Sequence, residues 1–411
     1  MESKKVLISG AGIAGPVLAY WLHRAGASIT IVERASSLRS TGQGIDIRSV
    51  AVDVIQQMGL ENVIRSKSTR EEGVAFVDTT GRERAVFKAS GSTKQQSFTS
   101  EFEILRGDLA SILYDATKDR INYVFGESIK ELRQTDDGVE VAFESGAATA
   151  SFDIVVAADG MGSKARSMAI GTSASKDSVK SLGQYCAYFT VVEDLLDGST
   201  IAKWYNAPGG RLVFLRPNMK GQTQAILGVV TESAEARNAT TADAESQKNY
   251  LRKLFSDAGW LSEKVLKGME LADDFYYQAV AQVKLEKWYE GRVVFLGDAC
   301  YCPSPISGMG TSLAIVGAYM LAGEIMKQPD DLPNAFQSYQ ELLTPYVTKS
   351  QKLIPGAPAI VNPQTQTGIT ILISILGFIS WSGLDRLASS IAAIPAFSKE
   401  IFALPQYKWP S

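Results

Sequence analysis

The sequence predicts an α/β fold. A Rossmann-like domain is interrupted by an inserted antiparallel-sheet domain and followed by a C-terminal helical segment. Three observations carry this reading. The apolar strand Val6-Leu7-Ile8-Ser9 runs straight into Gly10, Gly12 and Gly15, spaced G-x-G-x-x-G, then into a helical pattern and a second strand ending at Glu33. Two later apolar runs, Phe152 to Ala158 and Arg292 to Leu296, end in Asp159-Gly160 and Gly297-Asp298, as buried parallel strands do where open α/β sheets place ligands. From Leu182 to about Val283 apolar and polar residues alternate in short runs, the pattern of half-buried antiparallel strands.

The first stretch is the most informative. Gly10 allows a tight turn, Gly12 lets backbone approach a pyrophosphate, and Gly15 lets helix and strand pack closely. The helix that follows carries Ile13, Val17, Leu18, Trp21 and Leu22 on its apolar pattern and stops at Gly26. Its N-terminus offers free N–H groups and a positive dipole end to phosphates. The second strand, Ser28 to Val32, delivers Glu33 where a carboxylate can accept from a ribose diol. The pattern defines a dinucleotide site without distinguishing NAD, NADP and FAD.

The remaining elements follow in order. Ser40 to Arg48 is a Gly-rich loop before a helix from Val50 to Met58; it reads either as a plain turn or, with Gly44, Asp46 and Arg48, as backbone lying against a flat ligand. Gly73 to Val77 and a return to Phe87 read as strands, and the polar stretch Ser90 to Ser97 as a mobile loop. Arg106 opens a helix and is either a surface charge or a phosphate ligand, since guanidinium suits bidentate oxyanion recognition. Asp136-Asp137-Gly138 marks a hairpin between strands 128–135 and 139–145. Asp159-Gly160 reads as a ligand-facing turn or as a helix cap. The Cys300 to Gly310 loop brings Pro305, Gly308, Met309 and Gly310 to another helix N-terminus. The apolar run Gly368 to Trp381 is shorter than the roughly 20 residues that a bilayer requires, so a buried helix covering the other domains is expected. The expected boundaries are 1–72, 103–178 and 284–330 for the Rossmann-like domain, 73–102 and 179–283 for the inserted domain, and 331–411 for the C-terminal segment.

Composition narrows the function. The 411 residues carry 41 Lys+Arg against 44 Asp+Glu, with no basic block, which argues against a nucleic-acid partner. The charged stub before the first strand does not read as a signal peptide, and Cys186, Cys300 and Cys302 show no C-x-x-C or zinc spacing; a reducing, cytoplasmic location is expected. His23 is the single histidine and sits on a helix face turned from Val17 and Leu18. A Ser-His-Asp triad or a His-rich metal site would have to use it alone, so the chemistry should come from a cofactor.

The three glycine and aspartate motifs, in this order, resemble those of the single-component FAD-dependent aromatic hydroxylases, the group A flavoprotein monooxygenases related to para-hydroxybenzoate hydroxylase. The shorter tetracycline-inactivating oxygenases are similar. The resemblance spans roughly residues 1 to 345. It implies that Gly10, Gly12, Ile13, Ala14 and Gly15 hold the FAD pyrophosphate, that Glu33 holds the adenosine ribose and that Arg34 lies near the adenine. Arg106 would reach the phosphates and ribityl region, Asp159 and Gly160 would serve FAD and NADPH, and Gly297-Asp298 would bond the ribityl chain. Pro305, Gly308, Met309 and Gly310 would line the isoalloxazine ring, with Gly44 and Asp46 at its other edge. Where the family often has a histidine three residues after that aspartate, this chain has Tyr301.

The implied activity is that of an oxidoreductase of secondary metabolism. NAD(P)H reduces the flavin, O2 adds to give a C4a-hydroperoxide, and a phenolic or polyketide-like substrate is hydroxylated, or a ketone undergoes Baeyer-Villiger oxygenation. No protein side chain is assigned the chemistry, and no metal is expected. One fingerprint means that FAD is resident and NAD(P)H visits. Two alternatives remain at this point: a flavoprotein of the same fold performing dehydrogenation or redox-neutral cyclisation, and a non-catalytic aromatic-ligand binder. The inserted sheet would cover the flavin, making Tyr185, Tyr188, Phe189, Trp204 and Phe214 candidate substrate contacts, although aromatics also favour ordinary sheet cores.

Overall fold

The computed structural model describes residues 4–38, 42–69, 71–88, 102–383 and 402–410. Ser40, Thr41 and the expected loop at Ser90 to Ser97 lie outside them. The first sheet has six strands in the order Tyr289–Glu290, Val293–Phe295, Ile154–Ala157, Lys5–Ser9, Ser28–Glu33, Asn122–Phe125. All neighbours are parallel except the short antiparallel pair at Tyr289–Glu290. Lys5–Ser9 is central because Val6, Leu7 and Ile8 leave no polar face, and a strand covered on both sides needs none. Helices Ala14–Arg24 and Gly310–Lys327 pack together over it, with Trp21 edge-on to Tyr319 at 5.0 Å.

The second sheet has seven strands, ordered Tyr276–Val283, Val179–Val191, Thr223–Val230, Arg211–Pro217, Ile201–Ala207, Gly73–Val77, Glu83–Lys88. It departs from the expected antiparallel sheet at one place: Ile201–Ala207 and Gly73–Val77 pair in parallel, because the second arrives from the first domain rather than through a hairpin. Odd-numbered side chains such as Tyr185, Phe189, Tyr205, Val213 and Leu215 form a core with Leu251, Phe255 and Val265 of the covering helices. The even-numbered face is left for the cleft. A small three-stranded sheet, Ile129–Gln134, Val139–Phe143 and Ala150–Phe152, contains the expected Asp136–Gly138 turn, closed by Thr135 N–H donating to Gly138 O at 2.8 Å.

The apolar run near the C-terminus corrects an expectation. It is a helix, Gln366–Ser382, capped by the Thr365 side chain, but only Ile369 is buried. Ile371, Ile375, Phe378 and Trp381 are exposed. The helix lies on the edge strand Glu83–Lys88 instead of between domains, and the Ser380 hydroxyl takes the Val86 N–H at 3.1 Å and donates to Val86 O at 2.9 Å. No helix among the described residues is long and apolar enough to cross a membrane. Residues 402–410 return to the first domain: Trp409 meets Trp21 at 4.6 Å, Tyr319 donates to Pro405 O at 3.0 Å, and Tyr407 donates to the buried Glu324 at 2.7 Å.

Candidate functional site

A cleft of about 2210 Å³ opens where the carboxyl ends of the parallel strands face the inserted sheet. At one end lies the glycine turn. Gly10 donates to Val32 O at 2.8 Å and has φ +112, and a Cβ there would sit 2.5 Å from Ala158 O. A Cβ on Gly15 would sit 2.1 Å from Gly10 O. These two glycines answer to the protein's own packing. Gly12 does not: a Cβ there meets nothing within 4 Å, and Gly12 lines the cleft. An open backbone position of this kind at a helix N-terminus is what a bound pyrophosphate requires. Ile13 and Ala14 continue this lining. Glu33 is already employed: its two oxygens accept from Ala11 N at 2.9 Å and Ala35 N at 3.0 Å, which fixes the turn while the residue still borders the cleft beside Arg34.

Asp159-Gly160 both caps a helix and borders the cleft. Asp159 caps helix Lys164–Ile170, accepting from Ser163 Oγ and from Lys164 N and Ala165 N at 3.0 and 3.2 Å, and it also lines the cleft with Gly160, whose φ is +84. Behind it the buried Arg166 guanidinium donates to Ala299 O at 2.7 Å, Met161 O at 2.8 Å and Ser175 Oγ at 2.9 Å, tying this turn to helix Asp298–Tyr301. Gly297 turns at φ +64 to start that helix and lies outside the cleft lining, as do Gly15 and Met309, whose side chain is wholly buried. Asp298 faces the cleft. Surrounded by protein on its other sides, its carboxyl is pushed up by burial, against the pull of Arg106. Arg106 itself is exposed to the cleft. Pro305, Gly308 and Gly310 line the next stretch, opposite Gly44 and Asp46, and Arg48 donates to Asp46 Oδ2 at 2.7 Å. Tyr301, at the family's histidine position, is buried and shares a hydrogen bond of 2.8 Å with Tyr339, so it does not face the cleft. All three cysteines are free and buried, and no metal-holding cluster occurs among the described residues.

The far wall is aromatic. Trp204, Phe214 and Tyr188 line it, with Tyr188 stacked on Tyr276 at 4.9 Å. Tyr185 and Phe189 do not: they point through the sheet into the helix-covered core, since side chains one apart on a strand face opposite ways. The five sequence candidates mixed both parities. Missing from them was Arg216, two residues after Phe214 and therefore on the cleft face, a signal that alternation supplied. It donates to Glu71 at 2.8 Å and to Glu103. Also missed were residues of the C-terminal segment, among them Pro358, Val361, Asn362, Leu376 and Ile379, which line the cleft.

A single fingerprint, Asp298 and two further glycine turns border one cleft that ends on an aromatic sheet face, and the chain's relatives make it a flavoprotein monooxygenase of the group A, FAD-dependent type. The chain matches the family described as FAD binding domain over residues 3–331 and belongs to it. Monooxygenase CTB7 of Cercospora beticola is 36% identical over 398 residues, 94% of each chain. The crystal structure of tetracycline destructase Tet(55) is similar over 99% of this chain and 100% of that one, with a TM-score of 0.79 and 32% identity. Klebsiella pneumoniae HpxO, solved with FAD and uric acid, shares the fold at a TM-score of 0.74 and 19% identity, covering 96% of this chain and 97% of that one.

Proposed function

We propose that this protein is an NAD(P)H-dependent FAD monooxygenase that transfers one oxygen atom from O2 to a flat, ring-rich small molecule. The observation that carries this is the continuity of the cleft from Gly12 to Trp204 and Phe214. At about 2210 Å³ it is over twice the roughly 1,000 Å³ upper end of ordinary ligand pockets, which suits a resident dinucleotide and a second molecule together. When bound, FAD supplies the redox chemistry and the activation of O2.

The chain's own residues bind, orient and exclude water. Gly12 and the first turn of Ala14–Arg24 receive the pyrophosphate, with Arg106 available to its charge. Asp298 offers carboxylate oxygens to hydroxyls of the cofactor's sugar-alcohol chain. The aromatic wall gives a planar substrate a stacking surface and keeps solvent from the reacting atoms. The destructase named above acts on tetracycline and HpxO was solved with uric acid; both names support a fused-ring substrate here. NAD(P)H, lacking a second fingerprint, is read as a transient visitor.

The test is the visible spectrum of the purified protein before and after NADPH without oxygen. Flavin bands that bleach, with or without a candidate substrate, support the reading. Bands that persist with NADPH, NADH and substrates overturn NAD(P)H dependence. Lack of ¹⁸O from ¹⁸O2 in the product would favour dehydrogenation or cyclisation on the same fold. Asp298→Ala is expected to weaken FAD retention at least about ten-fold, as expected for loss of charge-assisted bonds, with far-UV circular dichroism unchanged.

A further inference from the structure

Trp204 is not free to set its own tilt. It stands in cross-strand register between Phe76 and Phe214, with ring centroids 5.6 and 5.1 Å away. Its indole N–H donates to Oδ1 of Asn206 at 3.1 Å, two residues along the same strand and therefore on the same face. Asn206 is 5% exposed. Its amide donates in turn to Val361 O at 3.1 Å and to Asn362 Oδ1 at 3.3 Å. Asn362, 1% exposed, donates to Pro358 O at 3.0 Å. Gly209 N–H donating to Gln364 O at 2.8 Å, and Gln364 Nε2 to Val230 O at 2.9 Å, stitch the same stretch to the inserted sheet.

We propose that Asn206 is a positioning residue for substrate binding: it joins the Trp204 indole and the 358–362 segment into one hydrogen-bonded unit and so sets the plane of the ring surface on which a flat substrate stacks. The proposal rests on the reading of this cleft as a ring-substrate site. Asparagine is a poor strand residue, and a buried amide is costly unless its donors and acceptor are used. A role in the sheet core alone would be met by an apolar residue. Among the described residues, the side-chain bonds of Asn206 go instead to Trp204, Val361 and Asn362, all lining the cleft. Stacking strength depends on ring offset and tilt, so holding the indole selects among planar ligands.

The experiment is a double-mutant cycle on the FAD-loaded protein, with Asn206→Leu and Trp204→Phe alone and together. The first readout needs no ligand: acrylamide quenching of the Trp204 emission, taken as the difference between each protein and its Trp204→Phe counterpart. The second is binding of tetracycline and of anthraquinone-2-sulfonate, followed by equilibrium dialysis. Asn206→Leu is expected to raise quenching about two-fold and to weaken probe binding about 2- to 10-fold, the range of one or two net hydrogen bonds, with FAD content unchanged. In the Trp204→Phe background it is expected to add nothing. Unchanged quenching, or an equal loss of binding with and without Trp204, overturns the proposal and leaves Asn206 a packing residue. If Asn206→Leu does not fold, Asn206→Ala serves the same cycle. If the unmutated protein binds neither probe, the ring-substrate reading fails, and the quenching arm alone decides whether Asn206 holds Trp204.

Discussion

At the scale of single residues, two glycines in one motif answer to different demands. Gly10→Ala must accommodate a Cβ at 2.5 Å from a backbone oxygen and a φ of +112 that disfavours any side chain, so it is expected to lower stability by about 1–3 kcal/mol in a denaturant titration of the flavin-free protein. Gly12→Ala meets no protein atom and is expected to leave that titration unchanged while weakening FAD binding, read from flavin fluorescence on titration. Arg216 lies between Glu71 and Glu103, with Asp46 also in its field. Burial pushes Glu103 up to about 8, helped by the Glu71 and Asp46 carboxylates and opposed by Arg216 and Arg48. Burial thus makes the folded chain bind this proton more tightly than the unfolded chain, near 4.5, does. Stability contributed by this group therefore falls as pH rises from about 4.5 to about 8 and levels off above. Glu103→Gln lacks the effect, so its stability relative to the unmutated protein is expected to improve between pH 5 and pH 8 in paired urea titrations. A pH-independent difference would mean that Glu103 stays ionised.

At the scale of elements, what could be read from the sequence depended on whether a signal was local. The strand, glycine turn, helix and second strand around Gly10 were legible because each piece carries its own periodicity and the turn its own chemistry. So was the hairpin at Asp136–Gly138. The cleft-facing side of the inserted sheet was only half legible: Trp204 and Phe214 line the cleft, while Tyr185 and Phe189 do not, because aromatic content says nothing of parity until the register is known. Alternation from Phe214 makes the cleft-facing side of Arg216 legible, but not its partner Glu71, which lies 145 residues away. Hydropathy predicts burial for helix Gln366–Ser382, yet only Ile369 is buried, because hydropathy reports what a segment would tolerate, not what covers it. Its two faces should respond differently. Ile369→Ala is expected to cost about 2–5 kcal/mol, as for a buried isoleucine, and Ile375→Ser, more than half exposed, to stay within about 0.5 kcal/mol in the same denaturation assay.

At the scale of the whole molecule, the end of the cleft proposed to hold the cofactor draws on segments far apart in the chain: Gly10 to Ala14 with Glu33, Asp159 to Gly162, and Asp298 with Gly308 and Gly310. Residues 402–410 do not line the cleft, yet they cover helix Ala14–Arg24, where Arg24 Nε donates to Pro410 O across 386 residues. Trp409→Ala is expected to lower the thermal midpoint, corresponding to about 1–3 kcal/mol for a half-buried aromatic, without changing FAD affinity, both read from one melt followed by flavin and tryptophan emission. That separation has a consequence for biosynthesis. At about 5–20 residues per second, the glycine turn leaves the ribosome tens of seconds before Asp298 can join it, and Trp21 waits longer still for Trp409. A chain cut short before residue 402 would keep the described residues that line the cleft, yet present the Trp21 face to chaperones and to other nascent chains.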